Sequence, residues 1–155
     1  MPFYYTDPEL KFPATQQVSE REWVLELPFW HIHPKTGKRT YIPAGGIGPV
    51  DAWIDAPAWK TDYRSGPAIV DTVVPKEGAY SAAWLKHDFG YATEAKPRRV
   101  LDWELLEDLQ ELGANWFQRN TVWTFVRVFG AKVWADHNPK AVRALRAYAA
   151  QVTPA

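Results

Sequence analysis

Apolar and polar positions follow one pattern up to about residue 77 and another from residue 78 onward. Glu22 to His33 is mostly apolar, with Val24, Leu25, Leu27, Phe29 and Trp30. Pro34-Lys35-Thr36-Gly37-Lys38 follows, then Arg39-Thr40-Tyr41-Ile42-Pro43. Strand, Pro/Gly turn and strand in succession predict a β-hairpin. Pro43 and Gly45-Gly46 close it, because proline cannot donate to a ladder and glycine weakens one. This gives a hairpin region over 22–45. Over 46–77 proline, glycine and aspartate recur, Trp53 and Trp59 are interspersed, and no period survives, so the segment reads as a long loop.

From Gly78 to residue 152 the period is helical. Trp84, His87, Asp88 and Tyr91 recur at i, i+3, i+4 and i+7 and therefore share one helix face. Pro97 breaks that helix. A second is expected from Arg98 to Leu112, with Leu105, Leu106, Leu109 and Leu112 as its apolar stripe and Gly113 as C-terminal cap. A third is expected over Trp116 to Ala135, carrying Val122, Val126, Phe129 and Val133. Asn138 as N-cap and Pro139 at the first helical position open a fourth, with Val142, Leu145 and Tyr148. The expectation is an α+β fold: an N-terminal β-hairpin and long loop packed on a C-terminal bundle of three to four helices, forming one domain over 1–155.

A chain of 155 residues suits that size. Its 18 basic and 18 acidic residues cancel, so no net field steers it to nucleic acid or an anionic membrane. The absence of cysteine excludes disulfides and thiolate metal sites. No apolar run approaches the ~18 residues of a membrane span, and the opening Met1-Pro2-Phe3-Tyr4-Tyr5 does not read as a signal peptide. The nine tryptophans change the picture more. They fit either a core built on large rings or a surface that grips a sugar or another protein.

The candidate chemistry centres on His87. Histidine can act as a base near neutral pH, and the adjacent Asp88 offers hard oxygen ligands for a cation. Tyr91 lies one turn on, on the face of His87. Asp102 precedes Leu105, Leu106 and Leu109 by three, four and seven residues, which puts a carboxylate on an apolar stripe. That is costly unless it is paired. Its candidate partners are His87, if the helices pack antiparallel across Pro97, and Arg127, which shares a stripe with Trp116, Trp123, Gly130 and Trp134. A histidine oriented by a buried aspartate is half of an acid–base relay; it is equally a common structural tie between helices.

Five short motifs occur in order: Ile42-Pro43-Ala44-Gly45; Thr61-Asp62-Tyr63-Arg64-Ser65-Gly66-Pro67; Ala82-Ala83-Trp84-Leu85-Lys86-His87-Asp88-Phe89-Gly90-Tyr91; Arg98-Arg99-Val100-Leu101-Asp102; and Val126-Arg127-Val128-Phe129-Gly130. In this order, over residues 22 to 135, the chain resembles the domain of unknown function family 1353, small proteins of bacteriophage and prophage genomes. The stretch holding Trp53 and Trp59 separates the first two motifs more widely than in that family, so Asp51 or Asp55 could take the part of Asp62. The resemblance implies a phage setting and carries no reaction with it. His-Asp-x-x-Tyr followed by a later aspartate also resembles the secreted calcium-dependent phospholipases. In those the histidine activates water, the adjacent aspartate binds calcium and the later one orients the histidine. Their disulfides are absent here, and Gly45-Gly46-Ile47-Gly48 only loosely resembles their calcium loop.

Two functions follow. The first is a phage accessory or virion-associated protein that binds other phage or host proteins, in the virion or host cytoplasm, with no nucleic-acid partner. The alternative is a hydrolase-like enzyme in which His87, Asp102 and Tyr91 form the catalytic group. Asp62, Ser65 and Arg127 would then complete a binding network, and Asp88 with Asp62 would hold a divalent cation.

Overall fold

A computed structural model describes residues 3–5, 15–19, 22–25, 28–33, 36–43, 73–74 and 80–154. The loop expected over 46–77, including Asp62, Ser65, Trp53 and Trp59, lies outside them except for Val73 and Val74. The fold is α+β: the described residues form five strands, β1 (Phe3–Tyr5), β2 (Thr15–Ser19), β3 (Glu22–Leu25), β4 (Phe29–Ile32) and β5 (Arg39–Ile42), before four helices. The helices are α1 (Ser81–Thr93), α2 (Arg98–Glu111), α3 (Trp116–Ala135) and α4 (Pro139–Val152). They fall into two compact units, Met1–Asp62 with Asn138–Ala155, and Tyr63–His137.

In the first unit the hairpin is formed by β4 and β5, which pair antiparallel with Phe29 opposite Ile42 and Ile32 opposite Arg39. His33 and Lys38 close it through a 2.9 Å backbone bond, and Gly37 adopts φ +68°, a left-handed conformation glycine takes without steric cost. Phe29, His31 and Ile42 are buried. Trp30 meets Tyr41 edge-on at 4.9 Å, while Arg39 lies over the Trp30 ring. The apolar stretch read as one strand over Glu22–His33 is in fact two. Pro28 has no amide to give a ladder, and the chain changes sheets there: β3 pairs with β2, β4 with β1 and β5. Helix α4 belongs to this unit, apart from the other three. Asn138 and Pro139 interrupt the chain after α3; Asn138 Oδ1 accepts from the Lys140 amide at 2.9 Å, and Val142 and Leu145 are buried.

In the second unit α1 is buried at five successive positions, Ser81 to Leu85. A helix covered on every side is the central one of its unit. Leu101, Leu105 and Leu109 from α2, and Val122, Phe125 and Val126 from α3, complete the core. Of the expected stripes, Leu106, Leu112 and Val133 are half-buried and Phe129 is exposed. Length explains part of this: α3 spans about 30 Å and α1 about 20 Å, so the ends of α3 outrun the core. Helix ends are satisfied locally. Asn115 and Gln118 form a reciprocal capping box at 2.9 Å, and Gln118 also donates to the Val73 carbonyl. At the end of α2, Gly113 (φ +97°) and Ala114 donate to the Gln110 and Leu109 carbonyls, a Schellman closure. Among the described residues no helix is long and apolar enough to cross a membrane.

Leu105 sits sealed in this core, so Leu105→Ala should cost about 2–5 kcal/mol. Urea unfolding checks it; a loss below about 1 kcal/mol would mean the site is less tightly packed than described.

Candidate functional site

The turn from α1 to α2 brings the site together. Glu94 ends α1 with φ +45°, a left-handed conformation that costs a side-chain-bearing residue roughly 1–2 kcal/mol. Backbone bonds from Glu94 to Tyr91 and from Ala95 to Gly90 offset that cost, and the Glu94 carboxylate is 3.0 Å from Nδ1 of His137. Pro97 opens α2, which then returns along α1. Asp102 thereby reaches His87 and Tyr91, one turn apart on the facing helix.

Asp102 is fully buried, and four side chains point at it. Its Oδ1 lies 2.8 Å from His87 Nε2 and accepts the Tyr91 hydroxyl at 2.6 Å. Its Oδ2 accepts from Arg127 at 2.6 Å and, at the limit of hydrogen bonding, from Arg98 at 3.5 Å. Arg98 also donates to the Val126 carbonyl at 3.2 Å, tying α2 to α3. Burial pushes the Asp102 carboxyl upward, but the bonds from His87, Tyr91 and Arg127 outweigh it and hold the group below the usual carboxylate range. The Tyr91 phenol moves the other way: burial, then its bond to a carboxylate, raise it well above the ordinary tyrosine value.

Two glycines make this approach possible. A Cβ at Gly130 would sit 2.6 Å from the Tyr91 hydroxyl and 3.4 Å from Arg98, and one at Gly90 would sit 2.8 Å from Leu101. Tyr91 is further held by Trp134, edge-on at 5.2 Å.

His87 also borders a recess. Its neighbours there are Lys86, Leu101, Glu104, Leu105 and Asp108, and the space is about 10 Å³, roughly what one water needs. Lys86 bonds the buried Asp108 at 3.0 Å and lies 3.7 Å from Glu104, which also binds Lys96.

Of the residues singled out from sequence, His87, Tyr91, Asp102 and Arg127 thus come together. Asp88 is half-buried beside them. Asp62 and Ser65 lie outside the described residues. Among the described residues no three potential ligands cluster as a metal site would require. Arg98 stood out only as a motif position, and Lys86 and Asp108 were given no role. Asp108 follows Leu101 and Leu105 by seven and three residues, the same stripe logic that exposes Asp102.

The family model described as Protein of unknown function (DUF1353) matches residues 48–126, just over half of the chain. The match contains His87, Tyr91, Arg98 and Asp102, and it ends one residue before Arg127. The hairpin and Gly130 lie outside it, so it is narrower than the motif span of 22 to 135. No curated protein and no solved structure matches the chain.

Two outcomes follow. Gly130→Ala forces Tyr91 off Asp102 and should cost about 1–3 kcal/mol, in the manner of overpacking; an undisturbed Tyr91 ring environment by NMR would contradict the close packing. For pH, the raised Tyr91 value means the folded state holds its proton more tightly than the unfolded one. Its contribution is complete below the ordinary tyrosine value near 10 and is lost as pH rises beyond that toward the native value. Asp102, lowered, contributes above the ordinary carboxylate value near 4 and is lost as pH falls through the native value. Tyr91→Phe should therefore lessen the loss of stability above pH 10 and leave the acid limb dominated by Asp102. Unfolding midpoints measured across pH test both limbs, and identical alkaline limbs in wild type and variant would refute the Tyr91 assignment.

Proposed function

The chain belongs to the DUF1353 family, and we propose that it is a hydrolase-like enzyme in which His87 is the general base and Asp102 orients it. The supporting observation is the position of His87. Arg127, Arg98 and Tyr91 already neutralise and bond Asp102, so a structural tie has no need of a fourth partner. The fourth partner, His87, borders a water-sized recess. In this reading the His87 nitrogen not bonded to Asp102 takes a proton from water as the oxygen attacks an ester's acyl or phosphoryl centre; Asp102 stabilises the imidazolium, which returns the proton to the departing alkoxide as the ester bond breaks. Tyr91 acts through Asp102, since its hydroxyl is committed to that carboxylate. Asp88 with Asp62 would hold a divalent cation if one is used.

A second reading is a phage accessory or virion-associated protein that binds phage or host proteins. The exposed Trp103, Trp116 and Phe117 favour it. The phage setting and the location in virion or host cytoplasm rest on the motif resemblance.

The test pairs activity with stability. Against a panel of carboxylic and phosphoric esters, His87→Ala should lose about 10²–10⁴-fold in rate. The fold should survive, because Asp102 keeps its other donors. A loss of stability of about 3–5 kcal/mol, as when a buried ion loses its partner, with no ester hydrolysed by wild type, would reject the enzyme reading. Melting with calcium, magnesium or zinc tests the cation: a rise that disappears in Asp88→Asn supports it.

A further inference from the structure

A cleft of about 240 Å³ opens between α2 and α3, lined by Trp103, Leu106, Glu107 and Gln110 from the first helix and Arg119 and Asn120 from the second. It shares no residue with the recess at His87. Trp103, Leu106, Glu107 and Gln110 are spaced i, i+3, i+4 and i+7, so α2 presents a single face to it.

Trp103 is 56% exposed, yet its ring is not loose. It meets Trp123 edge-on at 5.9 Å and 88°, and the Arg127 guanidinium lies 5.6 Å from the Trp123 ring. The cleft therefore has an aromatic wall open to solvent and packed along one edge on Trp123. Polar groups make up the rest. Arg119 is anchored by a 2.7 Å bond to the Ala114 carbonyl and keeps further N–H donors. Asn120 donates to the Trp116 carbonyl at 2.9 Å and keeps its own carbonyl as an acceptor. Gln110 offers both a donor and an acceptor.

We propose that this cleft binds a saccharide, one sugar ring lying with its apolar face on Trp103 and its hydroxyls bonded by Gln110, Asn120, Arg119 and Glu107. Such a ligand needs both halves of this lining. An aliphatic or purely aromatic molecule would strip water from Gln110, Arg119 and Asn120 and return no bonds. A phosphate-bearing ligand would meet the Glu107 carboxylate in the same lining, on a chain of zero net charge. The volume is below the roughly 300–1,000 Å³ of sites for drug-sized molecules, which suits one sugar unit of a longer chain.

The experiment follows the indole N–H resonances of the full chain while methyl glucoside, methyl galactoside, N-acetylglucosamine and its oligomers are added to millimolar levels. Indole and inorganic phosphate serve as comparators. At least one saccharide should shift Trp103 and Trp123 saturably. Trp116→Ala, exposed but outside the cleft, should leave that affinity unchanged. Trp103→Ala should abolish binding, and Gln110→Ala, a surface change that spares the fold, should weaken it about fivefold. If Trp103→Ala fails to fold, Gln110→Ala and Asn120→Ala decide. Saccharides that leave these resonances still, shifts that persist in the cleft variants, or a response to indole or phosphate alone would overturn the proposal.

Discussion

A carboxylate taken wholly out of water loses several kcal/mol of hydration, and only well-placed partners recover it. Asp102 is in that position, and the second unit is arranged around its recovery. His87 and Tyr91 approach from α1, Arg98 from one turn earlier on α2, and Arg127 from α3. Each of α1, α2 and α3 contributes at least one donor, so these helices cannot slide past one another without breaking a bond to the same group. Apolar contacts among Leu105, Leu109, Val122 and Val126 tolerate many arrangements of similar volume. A single buried charge with directional partners tolerates far fewer. Core burial makes the unit stable, while Asp102 makes its register specific.

That specificity depends on atoms that are missing. The Tyr91 hydroxyl can reach Asp102 because Gly130 has no Cβ, and Leu101 can lie against α1 because Gly90 has none. Glycine inside a helix costs roughly 0.5–1 kcal/mol relative to alanine, a small loss beside an unpaired buried carboxylate. The left-handed Glu94 belongs to the same geometry. Its strained conformation ends α1 one turn beyond Gly90 and turns the chain back sharply enough for α2 to bring Asp102 against His87.

Much of this was legible in the sequence, for a reason that also marks the limit. Asp102 and Arg127 stand out as charges on apolar stripes, and a charge in such a place announces a partner. The helix boundaries were equally plain, since Pro97, Gly113 and Asn138-Pro139 act locally. Asp108 would have yielded to the same stripe rule. Gly130, by contrast, was visible only as a motif and stripe position, because what its missing side chain admits is decided by a residue 39 positions earlier. Strands β1 and β2 left little trace: Thr15-Gln16-Gln17-Val18-Ser19 has no alternation of apolar and polar residues, and its strand character comes from pairing with β3. Nor could α4 be assigned to the strand-bearing unit, since its stripe of Val142, Leu145 and Tyr148 does not say which apolar surface it meets.

Arg127 shows why these features cannot be read one at a time. One edge of its guanidinium donates to Asp102 at 2.6 Å, and its plane lies near Trp123, the ring that steadies Trp103. Lysine could supply the charge but not the flat surface, and its ammonium would give up the fixed fork of donors. The guanidinium is the one group that can satisfy a buried carboxylate and pack beside an indole at once. It therefore joins the charged interior of the unit to its aromatic surface. A change in how Trp103 and Trp123 pack would be felt at Asp102 through a chain of three contacts, and a change at Asp102 would be felt at the cleft. The two contacts share one planar guanidinium, so tilting that plane alters both at once.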